Sequence, residues 1–366
     1  MGWVPRFPEL KANLGVNNGL FGSMLSMGAF GSLAALLTIG HLVDHYGAKK
    51  MLIAGQTILS ISYIGIVNVT NLQAFLAINI LVGFSISTMH IANNAQAFYD
   101  QDRGGKNLVV SAAGYWSAGS LLSTIFSMYL IGKVDLKMHI TVMHLIVYVL
   151  TIIVILSRKE TLIPSNRHDQ VAKSIYNDLK KFNFDWMVNF GLIFGIMLEF
   201  AIGDWSTIFA KEEGGISATW APLPFLSFTL FMIVGRVSIT PLRNRFKINH
   251  LVRFGGILAG TSFILGIWLI HIFGLVGLII SFALAGLGSS FIGPSFLNIA
   301  NARIDLPSSI VIGQISAVNV MLSWVLKQLI AFVAQVAGLQ VALTIPALMA
   351  IAVGLFTSVF KPIPTK

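Results

Sequence analysis

The residue in this sequence best placed to move a proton is Glu199, one of only 14 acidic residues. It lies inside a long apolar stretch, where Gly191, Gly195, Glu199 and Gly203 recur every four residues. Such a ridge of small residues lets helix backbones approach closely. The pattern therefore predicts that Glu199 faces protein or a cavity and not lipid. Burial disfavours the charged form of a carboxyl group, so Glu199 is a candidate proton carrier. The alternative is a carboxyl that only packs and forms hydrogen bonds.

Three further residues around this stretch could form an ion pair or a gate. Asp204 follows Glu199 by five residues, about 140° around a helix, so we expect it on another face, bracing an outer gate with Trp205. Lys327 is the one cation that we assign to the interior of a span, since Arg236 and Arg253 are counted with the cytoplasmic loops. It would lower the cost of a buried carboxylate by pairing with Glu199 or Asp204. The alternative is that it extends toward the membrane surface.

Uncharged polar side chains in two other apolar stretches could bind a solute rich in hydroxyl groups. They are His90, Asn93, Asn94 and Gln96 in one stretch, and Asn298 and Asn301 in the other. The first three recur at helical spacing and share one face, with Gln96 adjacent. His90 is also a second candidate for proton coupling. The alternative is that these groups only form hydrogen bonds between helices, each contributing about 0.6 kcal/mol.

The composition predicts that membrane-spanning helices hold these residues. Of 366 residues, 55% are hydrophobic and 10% are charged, against about 25% charged in an ordinary soluble domain. Two stretches of 49 residues, 51–99 and 254–302, contain no Asp, Glu, Lys or Arg. Each can hold two spanning helices with a short turn. The composition excludes a soluble enzyme, a disordered chain and a secreted disulfide scaffold.

The sequence predicts an all-α membrane protein with eleven spans. They lie at about 19–43, 51–68, 73–98, 107–131, 138–156, 186–210, 218–240, 251–271, 273–299, 309–337 and 339–360. A long charged segment, 157–185, separates an N-terminal bundle (1–156) from a C-terminal bundle (186–366). Hydrophobic residues at helical spacing within 171–182 predict an amphipathic helix in this linker.

The distribution of lysine and arginine predicts the orientation. One set of loops holds 18 of these residues and the opposite set holds 5. The basic set should be cytoplasmic, which places the central loop and the C-terminus inside and residue 1 outside. This topology also explains the net charge of +10 without nucleic-acid binding.

Other chemistries find no support in the sequence. There is no cysteine, which excludes disulfides and thiolate sites. No cluster of His, Asp and Glu has metal-ligand spacing, and no phosphate-binding glycine loop is present. We therefore expect no metal, no cofactor and no enzyme activity. The first residues show no apolar segment of a cleavable signal peptide.

The loop after the first predicted span resembles a known signature. The run Gly40-His41-Leu42-Val43-Asp44-His45-Tyr46-Gly47-Ala48-Lys49-Lys50 is similar to the loop motif of the major facilitator superfamily. Gly40, Leu42, Asp44, Gly47 and Lys49 match this motif, whereas His45 and Ala48 replace two arginines. Gly235-Arg236 resembles the second-half copy of the motif. The resemblance implies a two-bundle helical fold, here with five and six visible helices.

Three short motifs resemble the MosC-like branch of that superfamily. They are Trp3-x-x-Arg6-x-Pro8, Gly114-Tyr115-Trp116-Ser117-x-Gly119 and Glu199-x-x-x-Gly203-Asp204-Trp205-Ser206. The branch implies a transporter of small polar solutes. Since the family pattern has twelve helices, this chain is expected to lack most of the first one.

Together these observations predict a proton-coupled secondary transporter of a sugar- or polyol-like solute that works by alternating access. We expect a monomer in a bacterial cytoplasmic membrane, with solute, protons and lipid as its partners. One alternative is efflux of amphiphilic compounds. Another is a sensor or an inactive remnant that no longer transports, suggested by the missing helix and the altered loop motif.

Overall fold

The computed structural model describes residues 2–104, 108–158, 185–303 and 308–360, and all regular elements within these ranges are helices. The earlier helices are α1 (Phe7–Leu14), α2 (Asn18–Ser26), α3 (Gly28–Tyr46), α4 (Ala48–Asn68), α5 (Leu72–Gly104), α6 (Leu108–Leu130) and α7 (Leu136–Ser157). The later helices are α8 (Trp186–Glu212), α9 (Leu223–Arg245), α10 (Ile248–Trp268), α11 (Ile270–Ser289), α12 (Ile292–Arg303), α13 (Ser308–Ala337) and α14 (Leu339–Ala352). Two 3₁₀ helices, Val4–Arg6 and Val353–Phe360, complete the list. The predicted linker helix within 171–182 lies outside the described residues.

Short polar caps begin several of these helices. The Asn17 side chain accepts a hydrogen bond from the N–H of Leu20 at the start of α2. Asp135 caps α7 and Asp185 caps α8 in the same way. These residues satisfy backbone donors that have no partner in the first helical turn. The helix starts are therefore encoded locally.

The predicted helical membrane architecture is confirmed. In the described residues, nine helical stretches are long and apolar enough to cross a membrane. The two other predicted positions hold α6 and α9, and the apolar part of α9, Leu223–Ile239, is shorter. The predicted ninth span is broken, since α11 ends at Ser289 and α12 begins at Ile292. Pro294 lies in the first turn of α12, where a missing N–H costs no helical hydrogen bond.

The helices form two groups, before and after the linker. In the first group α5 packs on α3 and α4, and α7 packs on α4. In the second group α11 packs on α9 and α10, and α14 packs on α8 and α10. The exact boundary between the halves stays a prediction, because 159–184 lies outside the described residues.

The two halves meet through α1 and α2 on one side and α8 and α13 on the other. Gln328 on α13 donates a hydrogen bond of 2.7 Å to the Ser26 hydroxyl on α2. Nearer the end of the bundle, the N–H of Gly19 donates to Gln335 Oε1 at 3.3 Å. Residues 11–19 lie at the end of the bundle that the lysine and arginine distribution predicts to be external, and we call this end the outer side.

Candidate functional site

A cavity of about 270 Å³ lies between the two halves. Helices α8 and α9 form one wall, and α6 with the first residues of the chain forms much of the opposite wall. Its lining residues are Trp3, Val4, Phe7, Leu25, Asn79, Trp116, Ser117, Ser120, Glu199, Phe200, Gly203, Asp204, Phe225, Phe228, Thr229, Met232 and Arg236. This combination of aromatic walls and a few convergent polar groups is typical of small-molecule sites.

The aromatic rings of the cavity are braced by their neighbours. Trp3 makes edge-to-face contacts with Phe7 and Tyr63, with ring centroids 4.9 and 5.0 Å apart. Trp116 lies against His90, with ring centroids 4.4 Å apart. Because these contacts restrict the indole rings, they present fixed apolar faces to the cavity.

Glu199 faces this cavity, as the glycine ridge predicts. An ideal Cβ added to Gly191 would lie 2.1 Å from the Phe296 ring, and one on Gly195 would lie 2.3 Å from Ile292. This part of the ridge therefore packs directly on α12. Gly203, at the other end, has no atom within 4 Å of its ideal Cβ and borders the cavity.

The charge facing Glu199 is Arg236. The distance from Arg236 Nη2 to Glu199 Oε1 is 3.8 Å, and Arg236 Nε donates a hydrogen bond of 3.2 Å to the carbonyl of Ser290. The side chains of Glu199 and Arg236 are 35% and 38% exposed. This ion pair is loose and open to the cavity, so a proton or a polar solute can reach it.

The position of Arg236 corrects the sequence analysis, which counted this residue among cytoplasmic loop charges. Arg236 lies inside helix α9, which continues to Arg245, and its side chain lines the cavity. Its neighbour Gly235 has no side chain, and a Cβ there would lie 2.3 Å from Ser290 Oγ. This close approach of α9 to Ser290 brings the carbonyl within reach of the arginine.

Asp204 and Lys327 form the tighter ion pair. Lys327 Nζ lies 2.8 Å from Asp204 Oδ2, and the two side chains are 22% and 23% exposed. The same ammonium group lies 5.1 Å from the centroid of the Phe200 ring, within the range of a cation–π contact. Of the two partners that the sequence allowed for Lys327, the structure selects Asp204.

Asp204 and Glu199 both line the cavity, although five residues of helix separate them by about 140°. Phe200 and Gly203 line it as well, so α8 exposes a wide arc of its surface to this space. Trp205 turns away from the cavity and is only 3% exposed. Its ring packs against Gly22 of α2, where an added Cβ would meet it at 2.4 Å.

The amide-rich face on α5 does not line the cavity. Asn93 and Asn94 are exposed, and Gln96 is buried and donates a hydrogen bond of 2.9 Å to Asp100. His90 reaches the site only through its contact with Trp116. Asn298 is exposed on α12, and the side chain of Asn301 lies outside the described residues.

The cavity contains polar residues that the search for candidates missed. Asn79 of α5 is one, and its amide donates hydrogen bonds of 2.8 Å to the carbonyls of Met24 and Leu25. Ser120 and Thr229 are others. The three branch motifs contained a usable signal, since each places at least one residue in the cavity wall.

The first-half residues of the superfamily motif, Gly40, Asp44, Gly47 and Lys49, do not line this cavity, whereas Arg236 of the second-half copy does. Gly47 has a φ of 83° and ends α3, a conformation that favours glycine. Lys49 Nζ donates hydrogen bonds of 3.3 Å to the carbonyls of Leu156 and Arg158, which connects this loop to the end of α7. Gly40 and Asp44 are exposed.

No group of three or more His, Cys, Asp or Glu residues in the described part of the chain is arranged to hold a metal ion. The lining of the cavity offers aromatic faces, a few polar groups and the Glu199 carboxyl group to a small molecule.

Comparisons with known proteins agree with this architecture. The model of the Major Facilitator Superfamily matches residues 4–326. An uncharacterized MFS-type transporter of Yersinia pestis is 25% identical over 359 residues, covering 96% of this chain and 89% of that protein. The membrane protein MosC of Rhizobium meliloti is 23% identical over 294 residues, covering 80% of this chain and 69% of MosC.

Solved transporters share the fold. A mutant form of the nucleoside transporter NupG superposes with a TM-score of 0.79 at 14% identity, covering 98% of this chain and 96% of that one. A D-xylose-proton symporter superposes with a TM-score of 0.74 at 14% identity, covering 99% and 93%.

Proposed function

The chain belongs to the major facilitator superfamily of membrane transporters, and we propose that it carries a small polar, sugar- or polyol-like solute by proton-coupled alternating access. The observation that carries this proposal is the cavity between the halves, with the open Glu199–Arg236 ion pair in its wall. Rocking of two helix bundles around such a site would expose it to each side in turn.

The size and lining of the cavity support a small solute. A volume of about 270 Å³ lies just below the range of roughly 300–1,000 Å³ for small-molecule sites. Ser117, Ser120 and Thr229 supply hydroxyl groups, and Trp3 and Trp116 supply flat apolar surfaces. Both walls come from one chain, so we propose that a monomer is sufficient for transport.

The two carboxyl groups in the cavity are suited to different roles. Asp204 lies 2.8 Å from Lys327, within hydrogen-bond distance. Glu199 lies 3.8 Å from its cation, beyond the usual range of a hydrogen bond. Glu199 is therefore the better candidate for binding and releasing a proton, while Asp204 and Lys327 hold the wall in place.

A single substitution tests the coupling. With the solute identified, Glu199→Gln should abolish accumulation driven by a proton gradient in proteoliposomes, and exchange of solute across the membrane should continue. Glu213→Gln is the matched control, because Glu213 directly follows the last residue of the same helix and does not line the cavity. Accumulation at the parent level in the Glu199→Gln variant would refute the coupling role.

The solute class is tested separately by ligand binding. A ligand that binds the folded state stabilises it by about 2.7 kcal/mol at a concentration of 100 Kd. We expect sugars or polyols to raise the thermal stability of the purified protein.

Efflux of amphiphilic compounds is a second candidate, because aromatic rings supply six of the cavity-lining side chains: Trp3, Phe7, Trp116, Phe200, Phe225 and Phe228. Stabilisation by amphiphilic cations, with none by sugars or polyols, would favour this function. Binding without any transport would favour a sensor.

A further inference from the structure

We propose that residues 3–14 form the outer lid of the solute cavity, that this lid moves with the N-terminal half, and that a Lys11–Glu212 ion pair holds it closed against the C-terminal half. This inference rests on the proposed alternating access. It assigns the part that must move when the outer side opens.

The lid separates two spaces. On one face, Trp3, Val4 and Phe7 line the cavity. On the opposite face, Arg6 and Glu9 line a second pocket of about 450 Å³ toward the outer side. Residues of the segment between α8 and α9 complete that pocket, so the lid lies at the junction of the halves. A solute passing from the outer pocket to the cavity must displace it.

The lid is anchored firmly to the N-terminal half. The Arg6 guanidinium is 1% exposed, and its Nη2 donates hydrogen bonds of 2.7 Å to Glu9 and 2.9 Å to the carbonyl of Val134. Its Nη1 lies 3.5 Å from His139 Nδ1, and the Trp3 ring contacts Tyr63. Breaking a buried, hydrogen-bonded charge contact is strongly unfavourable, so this anchor should persist through transport.

The contact with the C-terminal half is of a different kind. Lys11 Nζ lies 2.6 and 2.7 Å from the two carboxylate oxygens of Glu212. The Lys11 and Glu212 side chains are 12% and 34% exposed, and separation of the halves would expose both charges to water. Ion pairs near the surface contribute little to stability. This pair can therefore form and break in each cycle, while the Arg6 anchor stays intact.

The position of Glu212 indicates why the pair forms. Glu212 is the last residue of α8, where the negative end of the helix dipole disfavours a carboxylate. Lys11 compensates this unfavourable charge only when the lid is closed. Charge compensation therefore biases the molecule toward the outer-closed state that the structure shows.

Removing the pair should open the outer side without any solute present. In the chain without cysteine, Thr229→Cys places one reporter thiol in the cavity wall. Adding Glu212→Gln should raise its labelling by a membrane-impermeant maleimide from the outer side about fivefold, equivalent to about 1 kcal/mol. Glu213→Gln is the matched control and should leave labelling unchanged. Equal labelling of the parent and Glu212→Gln proteins would show that the Lys11–Glu212 ion pair does not hold the lid closed.

Cross-linking tests which half carries the lid. A bismaleimide that joins Lys11→Cys to Glu212→Cys should reduce transport at least tenfold, each sample being compared before and after reaction. The same reagent joining Glu9→Cys to Lys133→Cys, across the outer pocket within the N-terminal half, should leave transport unchanged. The reverse pattern, or loss in both, would show that the lid does not move with the N-terminal half.

The two readouts separate this inference from the proposed function. Labelling of the reporter thiol requires no transported solute. If Glu212→Gln raises labelling but no solute is transported, the lid proposal is supported and the proposed transport function is refuted.

Discussion

Separating Asp204 from its cation should destabilise the protein more than removing both charges together. The Lys327–Asp204 distance is 2.8 Å, which corresponds to about 6 kcal/mol of Coulomb attraction at an effective dielectric constant of about 20. Desolvation of the two groups offsets part of this gain. Since both side chains are only about a fifth exposed, we expect a net coupling of about 2–3 kcal/mol.

The assay is a double-mutant cycle on purified protein. Lys327→Met should lower the free energy of unfolding by about 3 kcal/mol, because it leaves the Asp204 carboxylate without its cation. Asp204→Asn with Lys327→Met should recover most of this loss. Unfolding by denaturant in a fixed detergent gives the four free energies. A coupling below about 0.5 kcal/mol would show that the pair contributes no more than an exposed one and refute the reasoning.

Other consequences follow from contacts on α8 and at Arg236. Gly191→Ala should destabilise the protein by about 1–3 kcal/mol, because its Cβ would overlap the Phe296 ring. Gly203→Ala should leave thermal stability nearly unchanged, because no neighbouring helix comes within 4 Å of that Cβ position. Equal effects of the two substitutions would contradict the packing of α8 on α12. Arg236→Gln should reduce proton-driven accumulation at least tenfold in the same proteoliposome assay as Glu199→Gln, and parent-level accumulation would remove Arg236 from the site. Asn189→Ala should lower the free energy of unfolding by about 0.6 kcal/mol, because it removes the acceptor of the 3.0 Å hydrogen bond that Asn319 donates. The same denaturant unfolding measures this change. A loss above about 2 kcal/mol would show that Asn189 has a further role.

Much of the architecture could be predicted because the membrane imposes it on the sequence. A span of about 20 apolar residues without charge leaves the helix as the one local structure that satisfies the backbone. The charge-free stretches 51–99 and 254–302 therefore located helices directly. Errors arose at helix ends, as at α9, because a basic residue can continue a helix as easily as it can end one.

The functional face of each helix was harder to predict. In a soluble protein the apolar stripe of a helix identifies its buried side. In a membrane the lipid-facing and the protein-facing sides are both apolar, so this contrast is lost. Asn93 and Asn94 share a face of α5, which made them plausible solute ligands. In the structure, the residue of this helix that lines the cavity is Asn79, several turns earlier.

By itself the sequence determined the class of molecule, the approximate position of its helices, and the three motifs around Trp3, Trp116 and Glu199. Composition and charge spacing are local properties, and they predict helices directly because a backbone in lipid must satisfy its own hydrogen bonds. Only the tertiary structure decided that these motifs meet in one cavity, that Lys327 pairs with Asp204, and that Arg236 faces Glu199. These are contacts between residues far apart in sequence, and they depend on how whole helices pack and rotate against one another.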